Sequence, residues 1–308
     1  MATLEGIHHV TSITADARRN LDFYGRVLGL RLVKKTVNQD DPTAYHLFYA
    51  DEDASAGADM TFFEYPGVGK GEAGPGMVHR VGYRVGSEAA LDFWADRLAG
   101  EAIETERQEG RLRFADPEGL ELELVVSQTG DEPLAARFPE IPDELALQGF
   151  DGVYARSMNP SASQPFLEDT LGFTTQDGKR FERRGEQRGS HYTYEDGGPA
   201  RGVPGAGTVH HVAWSSPMAD HQDWRGRVEE AGRRPTPVID RFYFKSIYFR
   251  EPGGILFEIA TMGPGFAVDE PQEELGERLS LPPDYEHLRS RLEGILTPLV
   301  NPRTALRP

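Results

Sequence analysis

Two adjacent histidine pairs stand in near-identical contexts, Ile7-His8-His9-Val10 and Val209-His210-His211-Val212. An extended strand turns alternate side chains to opposite faces, so one member of each pair can point into a shared cavity. A carboxylate, Glu258, sits in the apolar run Ile255-Leu256-Phe257-Glu258-Ile259-Ala260, on the face it shares with Leu256 and Ala260. A charge among such neighbours requires a partner. Two imidazoles and one carboxylate on one side of a metal leave adjacent positions open, which suits a non-haem Fe(II) that takes both an organic ligand and O2. The chain has no cysteine, so thiolate sites and disulfides are excluded and any metal must rely on His and carboxylate. Such ligands fit Fe(II), with Mn(II) as the alternative.

These residues belong to a repeated unit. Four segments open alike: Ile7-His8-His9-Val10, Val78-His79-Arg80-Val81, Phe150-Asp151-Gly152-Val153 and Val209-His210-His211-Val212. Each is followed by a helical pattern (Asp16 to Leu28, Ser87 to Leu98, Ser161 to Leu171, Met218 to Ala231) and then by short strands, so the unit reads as βαβββ repeated four times. Asp16 and Ser87 suit N-caps, and Gly29 and Gly172 suit left-handed C-caps. Aligning Asp116-Pro117-Glu118-Gly119 with Glu251-Pro252-Gly253-Gly254 sets Glu123 against Glu258. At the His9 position the four units carry His9, Arg80, Gly152 and His211. One cavity therefore keeps two histidines and a carboxylate, and the other is degenerate. A single strand histidine is more often a hydrogen-bonded core residue; three ligand types at repeat-equivalent positions favour a metal. His46, His79, His191 and His221 have no such correspondence and read as structural or solvent-facing.

The 308 residues divide into a first pair of modules over 1–126, a polar, Pro-containing linker over 127–148, a second pair over 149–262, and a C-terminal extension over 263–308 with one amphipathic helix from Tyr285 to Leu296. With 38% hydrophobic residues the chain has enough apolar material for packed interiors. A net charge of -17 argues against nucleic acid and anionic membranes. The segment from Met1 to His9 lacks a leader pattern, and no apolar run reaches the ~18 residues of a membrane span. The expectation is a cytoplasmic protein acting on a small molecule; whether it forms a homo-oligomer is left open.

The module openings with Thr11, together with Asp240-Arg241-Phe242-Tyr243-Phe244-Lys245-Ser246-Ile247-Tyr248-Phe249-Arg250-Glu251-Pro252, resemble the vicinal oxygen chelate superfamily, and within it ring-cleaving dioxygenases of the hydroquinone type. The resemblance extends into the tail at Leu279-Ser280-Leu281-Pro282-Pro283. It implies an α+β fold in which the modules pair, one with four and two with three, into two curved, barrel-like sheets with helices outside. It implies His9, His211 and Glu258 as metal ligands, agreeing with the module comparison. It places Tyr248 and Arg241 near the substrate, Tyr248 also as an acid or base, and gives His8 and His210 outer catalytic roles. Strict strand alternation would turn those two histidines away from the cavity.

The activity so implied is an extradiol-type dioxygenase that opens an aromatic diol with O2. Hydroquinone rather than catechol follows from resemblance alone. Two rivals share the fold: a glyoxalase-like isomerase, lyase or thiol transferase with Glu64 as a fourth ligand, and a non-catalytic binding protein that traps small apolar molecules.

Overall fold

The computed structural model describes residues 2–127 and 129–303; the expectations for 128 and 304–308 lie outside them. Module one holds β1 (Ile7–Thr14), α1 (Ala17–Leu21), β2 (Arg31–Asn38), β3 (Asp41–Ala50) and β4 (Asp59–Glu64). Module two holds β5 (Met77–Val85), α2 (Glu88–Gly100), β6 (Glu106–Gln108), β7 (Arg111–Ala115) and β8 (Glu121–Val126). Module three holds β9 (Phe150–Arg156), α3 (Pro160–Pro165), β10 (Thr174–Thr175), β11 (Arg180–Arg184) and β12 (Gly189–Tyr194). Module four holds β13 (Val209–Ser216), α4 (His221–Glu230), β14 (Ile239–Asp240), β15 (Phe244–Arg250) and β16 (Leu256–Pro264).

The Asp16 side chain accepts from the Arg18 and Arg19 amides, and that of Ser87 from Ala90, satisfying helix-start donors. Gly29 ends its turn at φ 70°, where a Cβ would also lie 2.4 Å from Ile141 Cδ1. The expected first and third helices are each split. Five or six α residues are followed by a wide π turn, Asp22–Val27 and Phe166–Thr170.

Strands pair across distant modules. One eight-stranded sheet runs β14-β15-β16-β13-β1-β4-β3-β2 and the other β10-β11-β12-β9-β5-β8-β7-β6. Each sheet is two modules joined at an antiparallel seam, β1 with β13 and β5 with β9. Pairing alone would make each seam nearly twofold, and its irregularities obey the same symmetry. Ile7 and His9 of β1 face Trp214 and Ala213, so His8 is an extra, bulged residue; Thr11 and Ser12 face His211 and Val209, so His210 is its counterpart. The second seam repeats both bulges, at His79 and Asp151.

Where the first sheet carries His9, His211 and Glu258, the second carries Arg80, Gly152 and Glu123. A Cβ on Gly152 would fall 2.4 Å from the His191 carbonyl oxygen, so a larger residue cannot stand there without moving β12. Glu123 is fully buried and accepts from Arg111 and Arg113 at 2.6 Å and from Tyr154. Arg80 lies 4.0 Å over the Tyr154 ring. Burial would raise the Glu123 pKa, but Tyr154, Arg113 and Arg111 hold it below its ordinary value. Ion pairing between side chains thus closes the centre of this sheet.

The 127–148 segment is more than a polar connector, since Phe138, Ile141 and Leu147 are buried in the common core. The C-terminal extension covers the exposed edge of β2. Ser280 donates its amide to the Lys35 carbonyl at 2.8 Å, supplying the partner that an edge strand lacks. Its expected single helix is a 3-10 segment, Pro283–Leu288, leading into a short helix α5 (Arg289–Ile295). A proline-led turn tightens the start through Tyr285 N to Pro282 O at 2.8 Å. No helix among the described residues is long and apolar enough to cross a membrane.

Replacing Glu123 with Ala removes the anion around which Arg80, Arg111 and Arg113 gather. Urea denaturation should show a loss of about 3 kcal/mol, at the low end for a broken buried pair because Arg111 and Arg113 reach solvent. Divalent metal affinity should be unchanged, because that hub lies in the other sheet.

Candidate metal centre

His9 and His211 flank the seam of the first sheet, and Glu258 on β16 sits opposite Ala213, two residues beyond His211. All three are buried. His9 Nε2 and His211 Nε2 lie 3.1 and 2.9 Å from Glu258 Oε2, and 3.2 Å from one another. Despite these short approaches, neither Glu258 oxygen has a hydrogen bond of acceptable geometry. Buried carboxylate oxygens are rarely left so. The ligand atoms of the three side chains converge on one small buried region. Burial would raise the Glu258 pKa, but His9 and His211 hold it well below the carboxylate range. Burial pushes His211 down, partly opposed by Glu258.

The hydrogen-bond network assigns the His9 tautomer. His8 Nε2 lies 3.2 Å from the Thr261 carbonyl oxygen, which can only accept, so that nitrogen carries the proton. Burial, assisted by His9, lowers the His8 pKa to about 3, so the ring is neutral and its Nδ1 is an acceptor. His9 Nδ1, 3.0 Å away, must then donate, which leaves the His9 Nε2 lone pair free to face Glu258 and His211. His210 Nδ1 meets His211 Nδ1 at 2.8 Å, so the second outer histidine touches the second inner one through the same ring nitrogens. The His9 lone pair, the His211 Nε2 nitrogen and the Glu258 carboxylate thus converge on one buried point. A hard or borderline divalent cation satisfies all three, and outer groups that fix the ligand imidazoles are what such centres require.

The bulges explain why regular alternation misleads at His8 and His210. An extra residue in the seam re-aims its side chain, bringing each outer histidine against the inner one. Neither lines the cavity in front of the centre. His8 packs on Phe244, with ring centroids 5.3 Å apart, whereas His210 is exposed.

That cavity, narrow and partly open to solvent, reaches His9 and His211 at its base, with Phe48, Phe63 and Phe244 along the wall. Tyr248 lines it opposite Glu258 on the neighbouring strand, its ring 5.6 Å from that of His211. Burial and the charge of Glu258 raise the Tyr248 pKa, so the phenol keeps its proton. Arg241 lies 5.5 Å over the Tyr248 ring and is fixed by Asp40, which accepts at 2.8 and 3.1 Å. Between Arg241 and Tyr243, both on the cavity wall, Phe242 adopts φ 70°. A non-glycine residue held there costs on the order of 1–3 kcal/mol, and such strain gathers where side chains must be aimed.

His46, expected to be structural, lines the cavity between Phe48 and Phe63, with ring centroids 4.0 and 4.4 Å away. The signal was present in the strand period, which puts His46 and Phe48 on one face of β3. Glu64 is elsewhere. Its carboxylate accepts from the Ala17 amide at 3.0 Å and from Thr297 at 3.2 Å, at the start of α1. Register identifies the true counterpart of Glu258: Ala213 faces Glu258, and the matching Thr11 faces Thr61. The fourth position is therefore a threonine. Among the described residues, His9, His211 and Glu258 form the group able to hold a metal.

Residues 6–124 match the model of the Glyoxalase/Bleomycin resistance protein/Dioxygenase superfamily. MhqO of Bacillus subtilis, provisionally named a ring-cleaving dioxygenase, is 41% identical over 95% of this chain and 96% of its own. The chlorohydroquinone/hydroquinone 1,2-dioxygenase of Sphingobium indicum is 30% identical over 94% of this chain and 95% of its own. The crystal structure of a provisionally named dioxygenase from Bacillus subtilis superposes with a TM-score of 0.90 at 40% identity, over 97% of this chain and 98% of that one.

Two outcomes test the centre. Mn(II) at about a hundred times its dissociation constant should stabilise the wild type by about 2.7 kcal/mol, and not at all in His211→Ala or Glu258→Gln, as read by thermal melts. In the metal-free protein, His8, His46 and His211 all have lowered pKa values, with burial the largest cause in each. The unfolded chain takes up protons at these positions below about pH 6.5 while the folded chain does not. Stability is thus fully present above that value and should fall as pH drops toward the His8 value of about 3. A flat pH dependence between about 6.5 and 4 would contradict neutral histidines.

Proposed function

We propose that this chain, which belongs to the Glyoxalase/Bleomycin resistance protein/Dioxygenase superfamily, is a ring-cleaving dioxygenase that uses Fe(II) and O2 to open a hydroquinone-type diol. The observation that carries this reading is the convergence of three buried acceptors at the base of an aromatic-walled cavity, with Thr61 rather than a carboxylate at the fourth position. The 30% identical Sphingobium enzyme, named for hydroquinone substrates, supports the choice of diol.

Fe(II) held by His9, His211 and Glu258 would supply the one-electron chemistry that lets a spin-paired diol react with O2. The side chains do the rest. Phe48, Phe63 and Phe244 hold the ring and keep water from its faces. Tyr248, protonated at neutral pH, donates toward oxygen that gains negative charge, and Arg241, fixed by Asp40, stabilises that charge. His8 and His210 act through His9 and His211 by holding their orientation. In the overall extradiol-type reaction one ring C–C bond beside a hydroxyl-bearing carbon breaks, and both atoms of O2 enter the product. No external reductant is needed.

The glyoxalase-like alternative loses its fourth ligand, since Glu64 is engaged at α1. A passive trap gives no account of two imidazoles converging on a buried carboxylate whose oxygens have no hydrogen-bond partner among the described residues.

Protein purified without oxygen and reconstituted with Fe(II) should consume one O2 per hydroquinone and yield a product heavier by O2. His211→Ala should not. A fully loaded centre that takes up no O2 with hydroquinone, chlorohydroquinone or catechol would overturn the reading. Tyr248→Phe should lower kcat about a hundredfold with little change in KM, which separates a transition-state donor from a packing ring.

A further inference from the structure

Thr61 occupies the place that the seam's symmetry would give to a second carboxylate, and its hydroxyl is the middle of a hydrogen-bonded string. Thr61 Oγ1 lies 2.7 Å from Thr11 Oγ1, and Thr11 Oγ1 lies 3.0 Å from His211 Nε2, the nitrogen that faces the metal position. At the other end His46 Nε2 lies 3.0 Å from Thr61 Oγ1. The second sheet keeps the same polarity of residue types, with Glu123 opposite Gly82 and Thr193 opposite Tyr154. It has no histidine string, because Tyr154 stands in the place of Thr11.

We propose that His46 is a positioning residue for the proposed reaction: through Thr61 it sets the direction of the Thr11 hydroxyl beside the His9, His211 and Glu258 triad. The inference rests on the dioxygenase reading and adds to it a group that would orient a hydroxyl beside the metal position. A metal on His211 Nε2 takes the lone pair that Thr11 meets, so the Thr11 proton must turn elsewhere. Two hydroxyls share only one proton between them, so the string has a direction, set at its far end. If His46 Nε2–H donates to Thr61, then Thr61 donates to Thr11, and the Thr11 proton is left to face the triad. Phe48 and Phe63 both pack on the imidazole, with ring centroids 4.0 and 4.4 Å away, which restricts the plane in which that N–H points. Burial, reinforced by His9 and His211, keeps His46 neutral, so it carries one N–H and serves as a donor at one nitrogen only.

The test compares His46→Phe, which keeps an aromatic ring in the slot, His46→Gln, which restores a side-chain donor, and Thr61→Val, which removes the hydroxyl at nearly constant shape. Each protein is loaded with Fe(II) and titrated with nitric oxide as a stand-in for O2, and the electron paramagnetic resonance signal of the adduct is recorded. Fe(II) affinity and kcat with hydroquinone are measured alongside. His46→Phe and Thr61→Val should bind Fe(II) normally, weaken nitric oxide about tenfold, shift the rhombicity of the signal and lower kcat about tenfold, the effect of one lost hydrogen bond. His46→Gln should recover most of each. Unchanged nitric oxide affinity and kcat in His46→Phe and Thr61→Val, or a His46→Gln no better than His46→Phe, overturns the positioning role while leaving the dioxygenase intact. A wild type that binds Fe(II) but neither nitric oxide nor O2 overturns the dioxygenase reading, and the string's role with it.

Discussion

Three lone-pair donors brought to one buried point form the constraint around which the first sheet is organised. Without a cation, His9 Nε2, His211 Nε2 and Glu258 Oε2 crowd to between 2.9 and 3.2 Å of one another, and among the described residues neither Glu258 oxygen has a hydrogen-bond partner. Such an arrangement is costly in a low-dielectric interior unless a positive charge is supplied. The sheet holds it because each acceptor is fixed from behind. Thr261 orients His8, His8 orients His9, and regular pairing between β13 and β16 puts Glu258 beside them.

The second sheet shows the same backbone meeting the same problem without a metal. There the buried carboxylate remains, as Glu123, but the positive charge is covalent: three arginines and a tyrosine surround it. The two halves of the chain therefore share geometry down to the position of their seam bulges while differing in what balances the central charge. Metal balance leaves open positions for other ligands, whereas guanidinium balance fills them. Two copies of one architecture thus differ in whether guanidinium groups meet the central charge or a buried His-His-Glu cluster leaves it to a cation.

Much of this could be read from the residue order. Repeat comparison isolates His9, His211 and Glu258 and sets Arg80, Gly152 and Glu123 apart, because ligand type and module position are both written in the sequence. Strand register is not. Glu64 looks like the fourth carboxylate only while the pairing of β1 with β4 is unknown; once Thr11 is seen opposite Thr61, Glu64 falls at the wrong end of the strand. The seam bulges are hidden for a related reason. A period-two reading assumes unbroken pairing, and so it sends His8 and His210 away from the residues they touch. His46 reads as structural from the sequence because its contact with Thr61 arises only once the folded sheet brings the two within reach.

The division between inner and outer strands explains why the C-terminal extension is part of the site although it holds none of the proposed ligands. The triad lies on β1, β13 and β16, central strands held on both sides, but the cavity wall is built from β2, β3 and the segment entering β15, toward the ends of the sheet. Edge strands open most readily, and a wall that opens cannot aim Arg241 or Tyr243. The extension ties these ends together. Asp269 accepts from Lys34 of β2 at 2.8 Å and from Tyr243 at 3.0 Å, so one carboxylate joins module one to module four beside the cavity. Glu270 completes the pairing with the fully buried Lys34, and Tyr285 holds the β2–β3 turn through the Gln39 carbonyl at 2.8 Å. That turn also carries Asp40, the anchor of Arg241. The strained backbone at Phe242 is thus held between a fixed turn and a fixed tail, which keeps Arg241 and Tyr243 in the cavity wall.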